Sequence, residues 1–444
     1  MNPKIRIFLS QKLRDLRRNL RWFTPGLGVK RWVGVILAGT TFIGIGFGIF
    51  VLEIYRNAPE TWWLPIVSFA SLRVLERPLR VLIFGGIGFG LLLGGIWGLN
   101  RAMVKPFLRP GQPLVEGIST HRRRERGPRV VAIGGGHGLS TLLRGLKSYT
   151  HRLTAVVTVA DDGGSSGRLR KSIGILPPGD LRNCLAALSD DETMMTQIFQ
   201  YRFGDGSGDL DGHSFGNLFI SALSEITGSF EDAIAESGKV LAVHGRVLPS
   251  SLVDVQLAGE VFVSGSSQPT VVKGESNIPL AGGRIRRVWL QPNNPPAYPT
   301  VLQAILSADL IVIGPGSLYT SILPNLLVPD ISAAIRASQA LKIYVGNVAT
   351  QPGETDGFTC GDHVNAIEVH SGSGIIDLVL QNNSFNGKLL KGMQWVTIGK
   401  DSDLMYPIYE ANLIDETEPW HHESIKLGSV LMDLYQERTG PLVD

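Results

Sequence analysis

The feature that most constrains this chain is a repeated order: a short apolar run, a glycine-rich turn, then a helical pattern. Residues 129–133 form such a run and end in Gly134-Gly135-Gly136-His137-Gly138, with helical spacing over 140–147. Residues 153–160, rich in β-branched side chains, end in Asp161-Asp162-Gly163-Gly164. Residues 308–313 end in Gly314-Pro315-Gly316-Ser317 before a helix over 319–327. Residues 342–345 lead into a loop carrying Asn347 and then Gln351-Pro352-Gly353-Glu354-Thr355. Strands alternating with helices predict a Rossmann-like α/β fold, a parallel sheet with helices on both faces. Helical periodicity over 180–203, 216–226 and 230–240 fits that order. Between 250 and 292, short alternating runs broken by glycine and serine predict a small antiparallel β insertion. The domain is expected over residues 129–400, with 401–444 packed on it.

Glycines let backbone N–H groups approach an anion without a Cβ clash, and a helix N-terminus adds a favourable dipole. The first loop offers Gly134, Gly135, Gly136, His137, Gly138, Ser140 and Thr141. It is not G-x-G-x-x-G, because Leu139 occupies the last glycine position, nor a P-loop, because no Gly-Lys-Ser/Thr follows. A tight strand–helix turn is the plain alternative, and His137 is read either as a phosphate contact or as a turn residue. In the second loop, Asp161 or Asp162 could bind ribose hydroxyls or a hard cation such as magnesium. Gly163, Gly164 and Ser165 follow, and Arg168 could neutralise phosphate oxygens. Side chains alternate along a strand, so the two adjacent aspartates are not expected to face one site. Asp180, followed by Asn183, is either a helix N-cap or a further carboxylate facing the aspartate pair. His213, Ser214 and Asn217 open another helix with small polar donors. Gly314, Gly316, Ser317, Tyr319 and Thr320 make a second cradle, and Asn347, Gln351, Glu354 and Thr355 belong to the next loop. Any one of these loops could be only a turn. Several along one sheet edge, where open α/β sheets bind ligands, point to a phosphorylated ligand.

The first hundred residues read differently. Residues 33–52 are 20 residues without a charge, and 81–99 are a second such run. A helix of 20 residues is roughly 30 Å long, the thickness of a bilayer core. The mean hydropathy of +0.12 agrees. Lys4, Arg6, Lys12, Arg14, Arg17, Arg18, Arg21, Lys30 and Arg31 precede the first run, and Arg101, Lys105, Arg109 and 122–129 are basic after the second. A transmembrane hairpin over 1–103 is therefore expected, with both ends cytoplasmic and a basic linker over 104–128 touching anionic lipid rather than nucleic acid. Gly44 and Gly48, then Gly86, Gly90 and Gly94, are spaced for close helix packing, within a hairpin or a homo-oligomer. Cys184 and Cys360 form neither a metal spacing nor a disulfide framework, which fits a reducing compartment.

The stretches IGGGHGLSTLLRGLK, VTVADDGGSSGRLR, GILPPGDLRNCLAALS, GHSFGNL, ADLIVIGPGSLYTSILPNLL and TQPGETDGF resemble the YvcK/CofD-like family of gluconeogenesis factors. The resemblance spans residues 133–358 and leaves out the first hundred. For the bacterial branch it implies a UDP-sugar binder, with UDP-N-acetylglucosamine the usual ligand, needed for growth and normal cell shape on gluconeogenic carbon sources. For the enzymatic branch it implies transfer of a phospholactate group from a nucleotide-activated donor to a deazaflavin precursor, with magnesium. The metal aspartates of that branch fall on Asp161 or Asp162 and on Asp180. GGGHG and GHSFGN look closer to the regulatory branch, while Gly346-Asn347 departs from a Cys-Asn start.

Three functions are expected in order of preference: a nucleotide-sugar-binding regulator, a magnesium-dependent transferase using Asp161, Asp162 and Asp180, and a structural membrane adaptor. No H-E-x-x-H or C-x-x-C pattern is present, and the pair His421-His422 has no partnered ligand spacing.

Overall fold

The computed structural model describes residues 124–189, 194–204, 206–263, 265, 268–399 and 406–440, with scattered positions between 38 and 97. The positions described within the two charge-free runs are helical. The rest of those runs, the basic N-terminus and most of the linker lie outside the described residues. Among the described residues no single helix is long and apolar enough to cross a membrane, so the expected hairpin gains no support from the fold. Gly44, Gly48, Gly86, Gly90 and Gly94 belong to those runs, whose partners in any close packing lie outside the described residues.

From Arg123 onward the chain is one compact unit. Its strands are β1 (Val130–Gly134), β2 (Leu153–Val157), β3 (Arg246–Pro249), β4 (Gln256–Val263), β5 (Thr270–Lys273), β6 (Gly283–Gln291), β7 (Leu310–Ile313), β8 (Leu341–Val345), β9 (Leu378–Asn382) and β10 (Ile408–Ala411). Its helices are α1 (Gly136–Leu146), α2 (Gly164–Ile173), α3 (Gly179–Leu188), α4 (Met194–Gln200), α5 (Phe215–Thr227), α6 (Phe230–Val240), α7 (Asn277–Leu280), α8 (Pro299–Leu306), α9 (Leu323–Leu326), α10 (Pro329–Ala337), α11 (Cys360–Ser371) and α12 (Ser424–Thr439).

Seven strands form one sheet in the order β10-β9-β8-β7-β1-β2-β3, and every neighbouring pair is parallel. Parallel strands need both faces covered. Accordingly β1, β2, β7 and β9 are buried at every residue. Val130 pairs with Leu153 on one side and Leu310 on the other, which makes β1 an interior strand beside the middle strand β7. From β1 the chain builds outward to β2 and β3, then returns to β7 and builds the opposite way. The junction of β1 and β7 is therefore the topological switch point, where open sheets leave a crevice. The expected insertion is present as the antiparallel sheet β5-β4-β6.

Three elements differ from the sequence reading. The helical stretch 180–203 is two helices, because Ser189 turns extended, bridges Val243 and donates its hydroxyl to Leu241 O. The helix expected over 319–327 opens with a wide turn at Leu318–Ile322 before α9. Strand β3, only four residues long and ending in Pro249, was too short to stand out.

Helix α12 lies against α1 with backbones almost touching. A Cβ on Gly145 would overlap Ser424 O, and one on Gly428 would sit 2.7 Å from Gly145 C. Both obstacles are main chain and cannot swing away. We predict that Gly145→Val or Gly428→Val destabilises the domain by about 2 kcal/mol or more, read as a lower urea midpoint; an unchanged midpoint would show that α12 does not dock as described.

Candidate functional site

At the switch point the loops after β1 and β7 meet main chain to main chain. A Cβ on Gly138 would run into Pro315 O, and that of Gly316 would stand 3.5 Å from Gly135 O. Helix α1 begins directly in the glycine loop, with Gly135 as N-cap and no side-chain cap. Gly136 takes φ +60, which disfavours any residue with a Cβ. The first-turn N–H groups lack intrahelical partners and carry the positive end of the dipole. The loops are held from behind. Asn347 grips Gly316 through both its groups, Oδ1 accepting from N at 3.2 Å and Nδ2 donating to O at 3.0 Å. Gln351 donates to Ser317 Oγ at 2.9 Å, and Asn325 to Gly134 O at 2.8 Å.

Between them is a cleft of about 170 Å³. Gly135, Gly136, His137, Gly138, Thr141, Gly316, Ser317, Asn347 and Gln351, all expected site residues, line it with Pro315 and Ser321. Val348, Ala349, Thr350, Met393, Trp420, His421 and His422 complete the lining, and the sequence reading had not placed them there. The rings of His137 and His421 stand 6.4 Å apart and nearly parallel. Burial lowers the His137 pKa, and the neighbouring His421 adds to this. His422 is buried with Nε2 3.2 Å from Gly346 O, and burial pushes its pKa down to about 4. It is therefore neutral and donates that N–H, tying the C-terminal segment to the β8 loop.

Beside Gly135, toward β2, stands a group of carboxyls. The Asp180 side chain meets the Cβ positions of Gly135 and Gly136, and accepts from the Gly136 amide. Burial, then the charge of Asp161, raises its pKa to about 7. Asp161 is raised mainly by burial, although its Oδ1 accepts from Gly163 N at 2.9 Å. Glu275, from the β insertion, is raised to about 8, by burial first and then by Asp161 and Asp180. Asp162, in the loop beyond β2, turns toward the β insertion instead, where its Oδ1 accepts from Ser276 N and Oγ at 3.0 and 2.8 Å. The three aspartates expected as one ligand set thus divide. Among the described residues no group of three His, Cys, Asp or Glu side chains is placed to hold a metal ion. Asp161 and Asp180 do fit magnesium in its usual manner, since it takes one or two carboxylates and completes its shell with water and substrate phosphate.

Several expected ligand residues serve the scaffold instead. Ser165 Oγ is 3.1 Å from His213 Nδ1 and accepts from Asn217 Nδ2 at 3.1 Å and Ser214 N at 3.3 Å. All four are buried, so this net locks α2 to the start of α5. Arg182, buried and not foreseen, donates to Ser214 Oγ and to Asn183 Oδ1. Its pKa is lowered to about 10, mainly by burial. Arg168 donates to Asp211 O at 2.6 Å on the surface, and Ser140 back-bonds Gly136 O at 2.9 Å. Glu354 accepts from Tyr319 N and Thr320 Oγ1, fixing the wide turn, and Thr355 Oγ1 accepts from Gln351 N. The Tyr319 ring meets Phe358 and His370 in a separate pocket beside the β insertion. Gly163 and Gly164 open α2, and Gly314 ends β7 with φ +78.

The family model described as 2-phospho-L-lactate transferase CofD matches residues 130–403. The chain belongs to the CofD-like gluconeogenesis factor family. A Nostoc relative is 50% identical over 394 residues, covering 84% of this chain and 83% of its own. The Bacillus subtilis gluconeogenesis factor is 46% identical over 319 residues, covering 70% of this chain and 99% of its own. A crystal structure of a UPF0052 family protein from Bacillus halodurans superposes with TM-score 0.65 at 45% identity, covering 69% of this chain and all of that one. The sheet and insertion of this chain are thus those of CofD-like gluconeogenesis factors.

The carboxyl group makes a pH prediction. Asp180 and Glu275 hold protons in the folded domain that the unfolded chain releases above its ordinary carboxyl pKa. Their contribution to stability is full below about pH 4 and is lost as pH rises through about 7 and 8. The urea midpoint should therefore fall between pH 5 and 8 more steeply in the wild type than in Asp180→Asn or Glu275→Gln. Parallel pH profiles for wild type and variants would contradict the raised pKa values.

Proposed function

We propose that this domain binds a nucleotide sugar of the UDP-N-acetylglucosamine type and acts as a regulator of cell shape and cell-wall metabolism during gluconeogenic growth. One observation carries the reading: two glycine loops and a helix N-terminus meet at the topological switch point, around a cleft whose described lining holds glycine backbone, hydroxyls and three histidines but no lysine or arginine. Such a cleft suits phosphate held by main-chain donors. Membership of the gluconeogenesis factor family supports the regulatory role. The charge-free runs and their basic flanks support a tether to the cytoplasmic face of a membrane.

A second reading is favoured by the carboxyls. Asp161 and Asp180, with Glu275 behind them, would hold magnesium against the phosphates of a nucleoside-diphosphate-linked donor. Magnesium, when bound, would neutralise charge developing on phosphate oxygens during phospholactate-type transfer. The main chain of His137 and Gly138 at the start of α1 would orient the donor's phosphates. In this reading the domain is a transferase rather than a sensor. A purely structural adaptor, the third possibility, would leave the cleft without a purpose.

Isothermal titration of the protein with UDP-N-acetylglucosamine separates these. The proposal expects saturable binding that His137→Ala weakens by roughly tenfold, about 1.4 kcal/mol, and that Gly136→Val abolishes. No heat at millimolar ligand sinks the nucleotide-sugar reading. Binding with turnover of the labelled ligand, lost in Asp180→Asn, would move the assignment to the transferase.

A further inference from the structure

The lining of the cleft is chemically divided. One wall is glycine backbone with the hydroxyls of Thr141, Ser317 and Ser321. The rest comes from residues 348–350 of the β8 loop and from residues 393 and 420–422, where Met393 and Trp420 are the largest apolar side chains. A phosphate needs only the first wall, so the rest requires another explanation.

Trp420 belongs to a row of rings. Its ring lies 5.8 Å from that of His421, which in turn faces His137 at 6.4 Å and 17°. The segment carrying the row is fixed on both sides. Before it, the strap crosses Ile414, which bridges His422. After it, Glu423 N donates to Leu413 O at 2.8 Å, and the Glu423 carboxylate accepts from Ile425 N and Lys426 N at the start of α12. His422 is buried against Gly346 O, whereas His421 is exposed and Trp420 half-buried. Adjacent residues thus divide the work: His422 anchors, and the two rings before it line the cleft. A rigid aromatic surface bound to the frame costs little entropy when a planar group lies on it.

We propose that Trp420, backed by His421, is the stacking surface for the base of a nucleoside diphosphate whose phosphates occupy the glycine wall. The inference deepens the ligand reading above and rests on it. Stacking on an aromatic ring is tolerant of base identity, so Trp420 senses that a base is present and leaves its identity to a polar neighbour such as Gln351, whose buried Oε1 has no partner among the described residues. The C-terminal strap is then part of the binding site rather than packing alone, and the docking of α12 on α1 sets its position.

Isothermal titration of the full-length protein with UDP and with inorganic pyrophosphate tests this in wild type, Trp420→Ala and Trp420→Phe. Trp420→Ala should weaken UDP binding roughly tenfold while pyrophosphate stays within about twofold of wild type. Trp420→Phe, which keeps a ring, should retain most of the UDP affinity. If Trp420→Ala weakens both ligands equally, or neither, the stacking role is overturned while the phosphate cradle stands. If wild type binds neither ligand, the cradle and the stacking surface fall together.

Discussion

Everything at the upper rim of this sheet depends on main chain touching main chain between the β1 and β7 loops. Gly138 lies so close to Pro315 O that no side chain fits between them. This contact closes the gap that the reversal of strand order would leave open, and turns two separate turns into one cleft. It also explains the glycine content of the loops physically: small residues are needed where backbones cross, and the freed N–H groups then face the cleft. Asn347, Asn325 and Gln351 contribute amide side chains that stand in for missing secondary-structure hydrogen bonds and fix the loops.

A second constraint is electrostatic. Carboxyls crowd together from three parts of the chain: the β2 loop, the start of α3 and the β insertion. Burial and mutual repulsion raise Asp161, Asp180 and Glu275 together. Such an arrangement costs stability in the folded protein at neutral pH and is relieved by a cation or a proton. Perturbed groups of this kind cluster at functional sites. The buried net of Ser165, His213, Ser214 and Asn217 holds their loops rigid from beneath, which is why residues that resemble ligand donors in the sequence are spent on one another.

Much of the fold was legible because β1 and β7 are apolar throughout and run directly into glycine, a local signal. Gly134 to Gly138 and Gly314 to Ser317 could be placed on one rim from strand–helix alternation alone. Asp161 and Asp162 do diverge as expected, but not for the expected reason, since β2 ends at Val157 and both lie in the loop beyond it. What was not legible depends on contacts distant in sequence. Asp162 meets Ser276 across 114 residues, and nothing near Asp162 announces a partner in the insertion. Trp420 and His421 carry no periodic or motif signal, and become site residues only because Gly428 lets α12 settle on Gly145. His213 and Asn217 look like ligand donors because polar residues at a helix start serve caps and ligands alike. The short strand β3 carries too few residues to show any period.

The central claim is that the cleft at the β1–β7 junction is where this gluconeogenesis factor holds phosphate. A crystal structure of the protein with UDP-N-acetylglucosamine tests it most directly. The account predicts diphosphate oxygens within hydrogen-bond reach of the amides of His137, Gly138 and Ser317. Diphosphate bound instead at the opposite ends of the strands, among Arg129, Arg152 and Arg246, would contradict it.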